Sequence, residues 1–137
     1  MYQVLFLCTE NACRSQMAEG LVNHDLAGQV KAFSAGVQPS RVNPRAIQVM
    51  TEIGIDISHH RSKSVDDLAG EHFDLVITVC DRAQQQCPIF AGDTEVMHVG
   101  FPDPAKATGT EEEIMAAFRQ VRDALREQLV PLLREKL

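Results

Sequence analysis

Two apolar runs constrain this chain more than any other feature. YQVLFL (Tyr2–Leu7) and FDLVITV (Phe73–Val79) each lead directly into a cysteine, Cys8 and Cys80. Neither run alternates apolar with polar residues, so neither suits a strand with one wet face. Both suit strands covered on two sides, as in a parallel sheet. VKAFSAG (Val30–Gly36) and TEVMHVG (Thr94–Gly100) are expected as further strands. Helical patterns lie between them. Met17, Ala18, Leu21 and Val22 mark one face after Ser15, a suitable N-cap. Asn43 caps a run containing Ala46, Ile47, Val49, Met50 and Ile53, which Gly54 stops. A short helix is expected near Val65 to Ala69. Thr110 and Glu113 form a capping box for a long last helix. Ile114, Phe118, Val121, Leu125, Leu129 and Leu132 share one face of it, and Pro131 should bend its end. Strands alternating with helices predict an α/β fold with a mainly parallel central sheet flanked by helices.

The 137 residues suit a single domain over 1–137, large enough to bury a core without staples. The formal net charge is −6, so a general grip on nucleic acid, which needs a basic face, is not expected. A small anion remains possible, because a few local donors override the mean field. The start MYQVLFLC has no basic region of the kind that opens a secretory signal. No apolar run approaches the ~20 residues of a membrane helix. These features predict a cytoplasmic protein, in which four cysteines are core thiols, metal ligands or redox groups rather than structural disulfides.

Ligands of open α/β sheets bind beyond the carboxyl ends of the strands. Cys8, Cys80 and Asp103 all follow predicted strands, so they could meet at one edge. The stretch CTENACRS, Cys8 to Ser15, is a tight strand-to-helix loop with Arg14 six positions after Cys8. Backbone N–H groups of Thr9, Glu10, Asn11, Ala12 and Cys13 can turn inward and cradle an oxyanion, and the helix N-terminus adds positive potential. Arg14 can hold two of its oxygens at once. The same field should lower the pKa of Cys8, and Ser15 can donate to the thiolate, which makes Cys8 a candidate nucleophile. A zinc site is a poorer reading: Cys8 and Cys13 lack C-x2-C spacing and no histidine follows at ligand distance.

Asp103 lies in FPDP, a stiff loop, and a carboxylic acid there can protonate a leaving oxygen. A plain Asp-Pro surface turn would read the same in isolation. Cys80 and Cys87 alter the reaction class. Cys87 sits in DRAQQQCP, a polar segment, and the two thiols can be bridged if that segment rearranges. A hydrolase has no use for them; a reductase needs thiols to supply two electrons. A core thiol at Cys80 and an incidental surface thiol at Cys87 fit the same letters.

CTENACRSQMAEG, SAG, NPRAIQVMTEIGIDIS, DLVITVCDRAQQQCP and GFPDPAKATG together resemble the thioredoxin-coupled arsenate reductases. Those share the fold of the low-molecular-weight tyrosine phosphatases. The likeness runs from about Val4 to the last helix, and the pair Cys80 and Cys87 is its specific mark. It implies that arsenate binds the loop Cys8–Arg14, with phosphate or sulfate as competitors. Cys8 attacks arsenic while Asp103 protonates the departing oxygen. Cys80 then attacks Cys8, giving a Cys8–Cys80 disulfide and arsenite. Cys87 moves the disulfide to Cys80–Cys87, which thioredoxin reduces. Cys13 has no step. The resemblance implies no nucleic-acid or membrane partner, and nothing suggests more than a monomer.

Two departures stand out. Glu10 occupies a position where the phosphatases usually carry glycine, so its side chain should point outward. Some relatives hold potassium on an Asn, a Glu, a Ser and an Asp. Asn11, Glu19 and Ser34 match the first three, but Lys63 stands at the fourth. The expectation is no metal and no cofactor, with the Lys63 ammonium in the cation's place holding Asn11 and Glu19. The alternative function is a phosphatase acting on phosphotyrosine or a small phosphate ester. That family follows its Asp-Pro with an aromatic residue; here Ala105 and Lys106 follow, and the only tyrosine is Tyr2. A thiol-based redox sensor or anion-binding module is a third reading, and it would need neither Asp103 nor turnover.

Overall fold

A computed structural model describes residues 1–80 and 92–137. Among them lie β1 (Tyr2–Cys8), α1 (Arg14–Asp25), β2 (Val30–Gly36), α2 (Pro44–Thr51), β3 (Leu75–Thr78), β4 (Glu95–His98) and α3 (Glu111–Lys136). Short 3-10 turns cover Val65–Leu68 and Pro104–Lys106. The four strands form one sheet in the order β2-β1-β3-β4, every pair parallel. This is the expected α/β architecture. The two apolar runs become the adjacent central strands β1 and β3, and Val4, Leu5, Phe6, Leu7, Leu75, Val76 and Ile77 are fully buried.

Register decides where the chemistry meets. Leu7 pairs with Thr78 and Cys8 with Gly36, so β1, β2 and β3 end at one level. The strand ends carry Cys8 and Cys80 to the same edge of the sheet.

Local signals set most boundaries. Asn43 Oδ1 accepts from the N–H of Arg45 and starts α2; Gly54, at φ +79°, follows its end. Thr110 and Glu113 form the expected capping box, and α3 continues through Pro131 to Lys136. Phe118, Val121, Leu125 and Leu129 are buried as the periodicity predicts, joined by Met115, Val130 and Leu133. One boundary differs. Helix α1 starts at Arg14 with Cys13 at the N-cap position and no side-chain cap, so Ser15 lies inside the first turn. Its hydroxyl is used otherwise: it accepts a hydrogen bond from Asn11 Nδ2 at 2.8 Å.

Candidate active site

The loop from Cys8 to Arg14 is held from outside by its carbonyls. Val37 N–H donates to Cys8 O (3.2 Å), Gln38 N–H to Thr9 O (2.8 Å), Ser40 N–H to Glu10 O (3.1 Å) and Asn43 N–H to Ala12 O (3.0 Å). Among the described residues, no backbone N–H from Thr9 to Cys13 donates to a protein acceptor. Carbonyls are tied outward and the amides are left without protein acceptors, an arrangement able to hold an anion. The loop also lies directly on the end of β2. A Cβ at Gly36 would stand 2.8 Å from Thr9 O and 2.9 Å from Asn11 N, so only glycine fits there.

The loop opens into a cleft of about 1120 Å³ whose walls include Cys8, Cys13, Arg14, Cys80 and Asp103. Arg14 is anchored at one edge. Its Nη1 donates to Phe101 O at 3.0 Å and its Nη2 lies 3.6 Å from Asp103 Oδ2. Its Nε is buried and has no partner among the described residues, a donor available to an oxyanion. Asp103 is itself oriented, since its Oδ1 accepts from the N–H of Ala105 at 3.0 Å. Glu10 is exposed at the mouth. Phe101 is the one aromatic residue on the described wall, and Ala105 and Lys106 follow the Asp-Pro pair.

Cys8 and Cys80 come together. Both are buried, and Cys80 lies within hydrogen-bonding reach of Cys8. This contact opposes the effect expected of Arg14 on the Cys8 thiol. The hydrogen bond with Cys80 pushes the Cys8 thiol up, burial pushes it further, and Arg14 and the Ser15 N–H pull it down. The upward pull prevails while the two thiols face each other. Thr9, which sequence reasoning treated only as part of the loop, places its Oγ1 3.1 Å from Cys80 Sγ. Cys13 is pushed up to about 12, chiefly by burial and next by Asp103, which suits an inert thiol. Cys8 and Cys13 are free thiols. Cys87 lies outside the described residues.

Behind the loop, the candidate cation residues form a closed network. Ser34 Oγ donates to Glu19 Oε1 at 2.9 Å, and the Lys63 ammonium lies 3.8 Å from the same oxygen. That ammonium also donates to Arg61 O at 3.2 Å. Asn11, however, is held by the Lys63 backbone: the N–H of Lys63 donates to Asn11 Oδ1 at 2.9 Å. The ammonium thus engages Glu19 as expected, while the hold on Asn11 comes from the main chain. Asn11 Oδ1 also accepts from Gln16 Nε2, and a lysine occupies the fourth position, so this donor set does not fit a potassium ion. Among the described residues, no group of three or more His, Cys, Asp or Glu side chains could hold a metal. No described helix is long and apolar enough to cross a membrane. Gln16 and His60 belong to this network and were not found from the sequence. Nothing in the letters RSQ or SHHR announces that a buried Gln16 will meet a half-buried His60.

A thiol at the end of a central strand, an anion loop leading into a helix and an Asp-Pro turn across the cleft define the low-molecular-weight phosphatase architecture. The family model described as low molecular weight phosphotyrosine protein phosphatase matches residues 3–137. Among individual proteins, the chain is 48% identical to an arsenate reductase of Halalkalibacterium halodurans, over 89% of this chain and 88% of that one. A solved arsenate reductase in its oxidized state superposes with a TM-score of 0.83, at 31% identity and 98% coverage of each chain. Another, in a phosphate-binding state, gives 0.78, again at 31% identity and 98% coverage of each chain. The chain therefore belongs to the low-molecular-weight phosphotyrosine phosphatase family, among its arsenate reductases.

Proposed function

We propose that this protein reduces arsenate to arsenite by a three-cysteine relay, and that thioredoxin regenerates it. The observation that carries the reading is the placement of Cys8 and Cys80 together in one cleft with Arg14 and Asp103. Arsenate docks on the loop amides and the Arg14 guanidinium. It arrives as a base and can take the thiol proton, supplying the thiolate that the Cys8–Cys80 contact otherwise opposes. Cys8 sulfur bonds to arsenic, and an oxygen leaves as water with a proton from Asp103. Cys80 then attacks Cys8 sulfur. The sulfur–sulfur bond forms, the electron pair of the sulfur–arsenic bond passes to arsenic, and arsenite departs. Two thiols have supplied the two electrons. Cys87 attacks Cys80, frees Cys8, and leaves a Cys80–Cys87 disulfide for the dithiol of thioredoxin. Within this reading the Lys63 ammonium serves in place of a cation behind the loop.

The test is arsenate-dependent NADPH consumption with thioredoxin and thioredoxin reductase. Cys8→Ser, Cys80→Ser and Cys87→Ser should each abolish multiple turnover. Full turnover in the Cys80→Ser or Cys87→Ser variant removes the relay. Weak hydrolysis of an aryl phosphate is expected alongside, because the cradle holds any tetrahedral oxyanion. Hydrolysis far faster than arsenate reduction would instead make the protein a phosphatase.

A further inference from the structure

The cleft walls carry more charge than the relay uses. They include the cations Arg14, Arg41 and Lys106 and the carboxylates Glu10 and Asp103. Arg14 is already committed, with Phe101 O 3.0 Å from its Nη1 and Asp103 Oδ2 3.6 Å from its Nη2. Arg41 and Lys106 are exposed, and neither makes an ion pair or a side-chain hydrogen bond among the described residues. This sets them apart. Arg45, Lys63, Arg119, Arg122, Arg126 and Lys136 each face a carboxylate, and Lys31 lies over the Phe33 ring. A paired cation adds little to the field in solvent, because its partner cancels it. Arg41 and Lys106 keep their full charge at the cleft.

The two arrive there from different parts of the fold. Arg41 lies in the segment after β2 whose N–H groups hold the loop carbonyls, next to Ser40, which binds Glu10 O. Lys106 closes the 3-10 turn that Asp103 opens, in the segment after β4. β2 and β4 are the outer strands of the sheet, whereas the anion loop follows the central β1. An oxyanion approaching this protein meets a formal net charge of −6, which repels it. The loop amides act only at short range, and Arg14 is paired and mostly buried. Exposed charges reach about one Debye length, ~10 Å at 0.1 M salt. Two unpaired cations on the cleft wall therefore supply a local attraction against the mean field.

We propose that Arg41 and Lys106 form an outer capture site for the arsenate oxyanion, acting before it reaches the loop and taking no part in the chemistry. The inference rests on the cleft being an oxyanion site, and one of its two measurements requires no turnover.

The first measurement is steady-state arsenate reduction at about 20 mM and about 500 mM sodium chloride, for wild type, Arg41→Gln, Lys106→Gln and the double variant. Each single substitution should lower kcat/KM about threefold at low salt, and the pair about tenfold, with kcat unchanged, as befits exposed charges acting through solvent. At high salt the four proteins should agree within about twofold. Arg41→Lys and Lys106→Arg should match wild type, since only the charge is required. The second measurement is protection of Cys8 in the reduced protein from iodoacetamide by inorganic phosphate. The half-protecting concentration should rise about tenfold in the double variant at low salt and converge with wild type at high salt. That result is read whether or not arsenate is turned over, so failure of the relay and failure of the capture site are told apart. Equal kcat/KM and equal phosphate protection in wild type and the double variant at low salt overturn the proposal. A deficit that persists at high salt, or a lowered kcat, overturns it too, because it marks direct contact with the bound anion.

Discussion

At the scale of single residues, what a side chain does here depends on which neighbour reaches it first. Cys8 has Arg14 and a helix N-terminus beside it, which favour a thiolate, but the contact with Cys80 and burial push its thiol up. Lys63 shows the same dependence. Its ammonium lies 3.8 Å from Glu19 while its N–H serves Asn11, so one residue supplies a cation and a main-chain donor together. If the ammonium stands in for potassium, turnover at fixed ionic strength should agree within about twofold between potassium and sodium, the level of a surface charge effect. Lys63→Asp should acquire a potassium dependence. A severalfold gain of the wild type in potassium would overturn this role. Asn11, Glu19, Ser34 and Lys63 could be matched position by position, but the donor from Lys63 to Asn11 is a backbone group, which no side-chain pattern displays.

At the scale of elements, the loop is shaped by segments that contribute no catalytic side chain. Residues 37–43 hold its carbonyls, and Ser62 Oγ donates to Glu10 O at 2.7 Å. Gly36 ends β2 and lets the loop rest on it. Gly36→Ala would push a methyl group against Thr9 O and Asn11 N, and backbone cannot yield as a flexible side-chain tip can. Arsenate reduction should fall on the order of 10²-fold, the cost of displacing a reacting group by about 1 Å. Steady-state assays with circular dichroism check it: native secondary structure with full activity would show that the loop tolerates the displacement. The elements themselves were legible. Buried strands without alternation, the Asn43 cap and the Thr110–Glu113 box are all local patterns. Ser15 was misplaced as a cap because its competing partner, Asn11, belongs to a loop conformation that capping statistics do not describe.

At the scale of the whole molecule, ion pairs fasten α3 to the body of the fold. Arg126 grips Asp25 at the end of α1 through two bonds of 2.7 and 2.8 Å. Arg122 donates to Val49 O and to Glu52 at the end of α2. The Arg126 hydrogen bonds hold Asp25 at about 2, below its ordinary 3.8. A carboxylate lowered on folding stabilises the fold fully above its unfolded pKa, and the contribution is lost as the pH falls from about 4 to about 2. Arg126→Met should therefore cost about 1 kcal/mol at pH 7, after allowance for screening near the surface. Thermal melts of the two proteins should converge near pH 2. A gap that persists there would mean that Arg126 contributes by packing.

The sequence by itself determined the α/β class, the family resemblance and the strand-to-helix loop from Cys8 to Arg14. Each of these rests on contacts between residues close in the chain, or on a pattern of burial that repeats along it. The tertiary structure decided which groups face one another. Parallel pairing of β1 with β3, in the register Leu7 to Thr78, carries Cys8 to Cys80 across 72 positions of chain. It also places Thr9 on Cys80, Phe101 on Arg14 and Gln16 between Asn11 and Arg61. Those meetings follow from strand order and register, which the packing of the whole chain selects and no local pattern along the sequence displays.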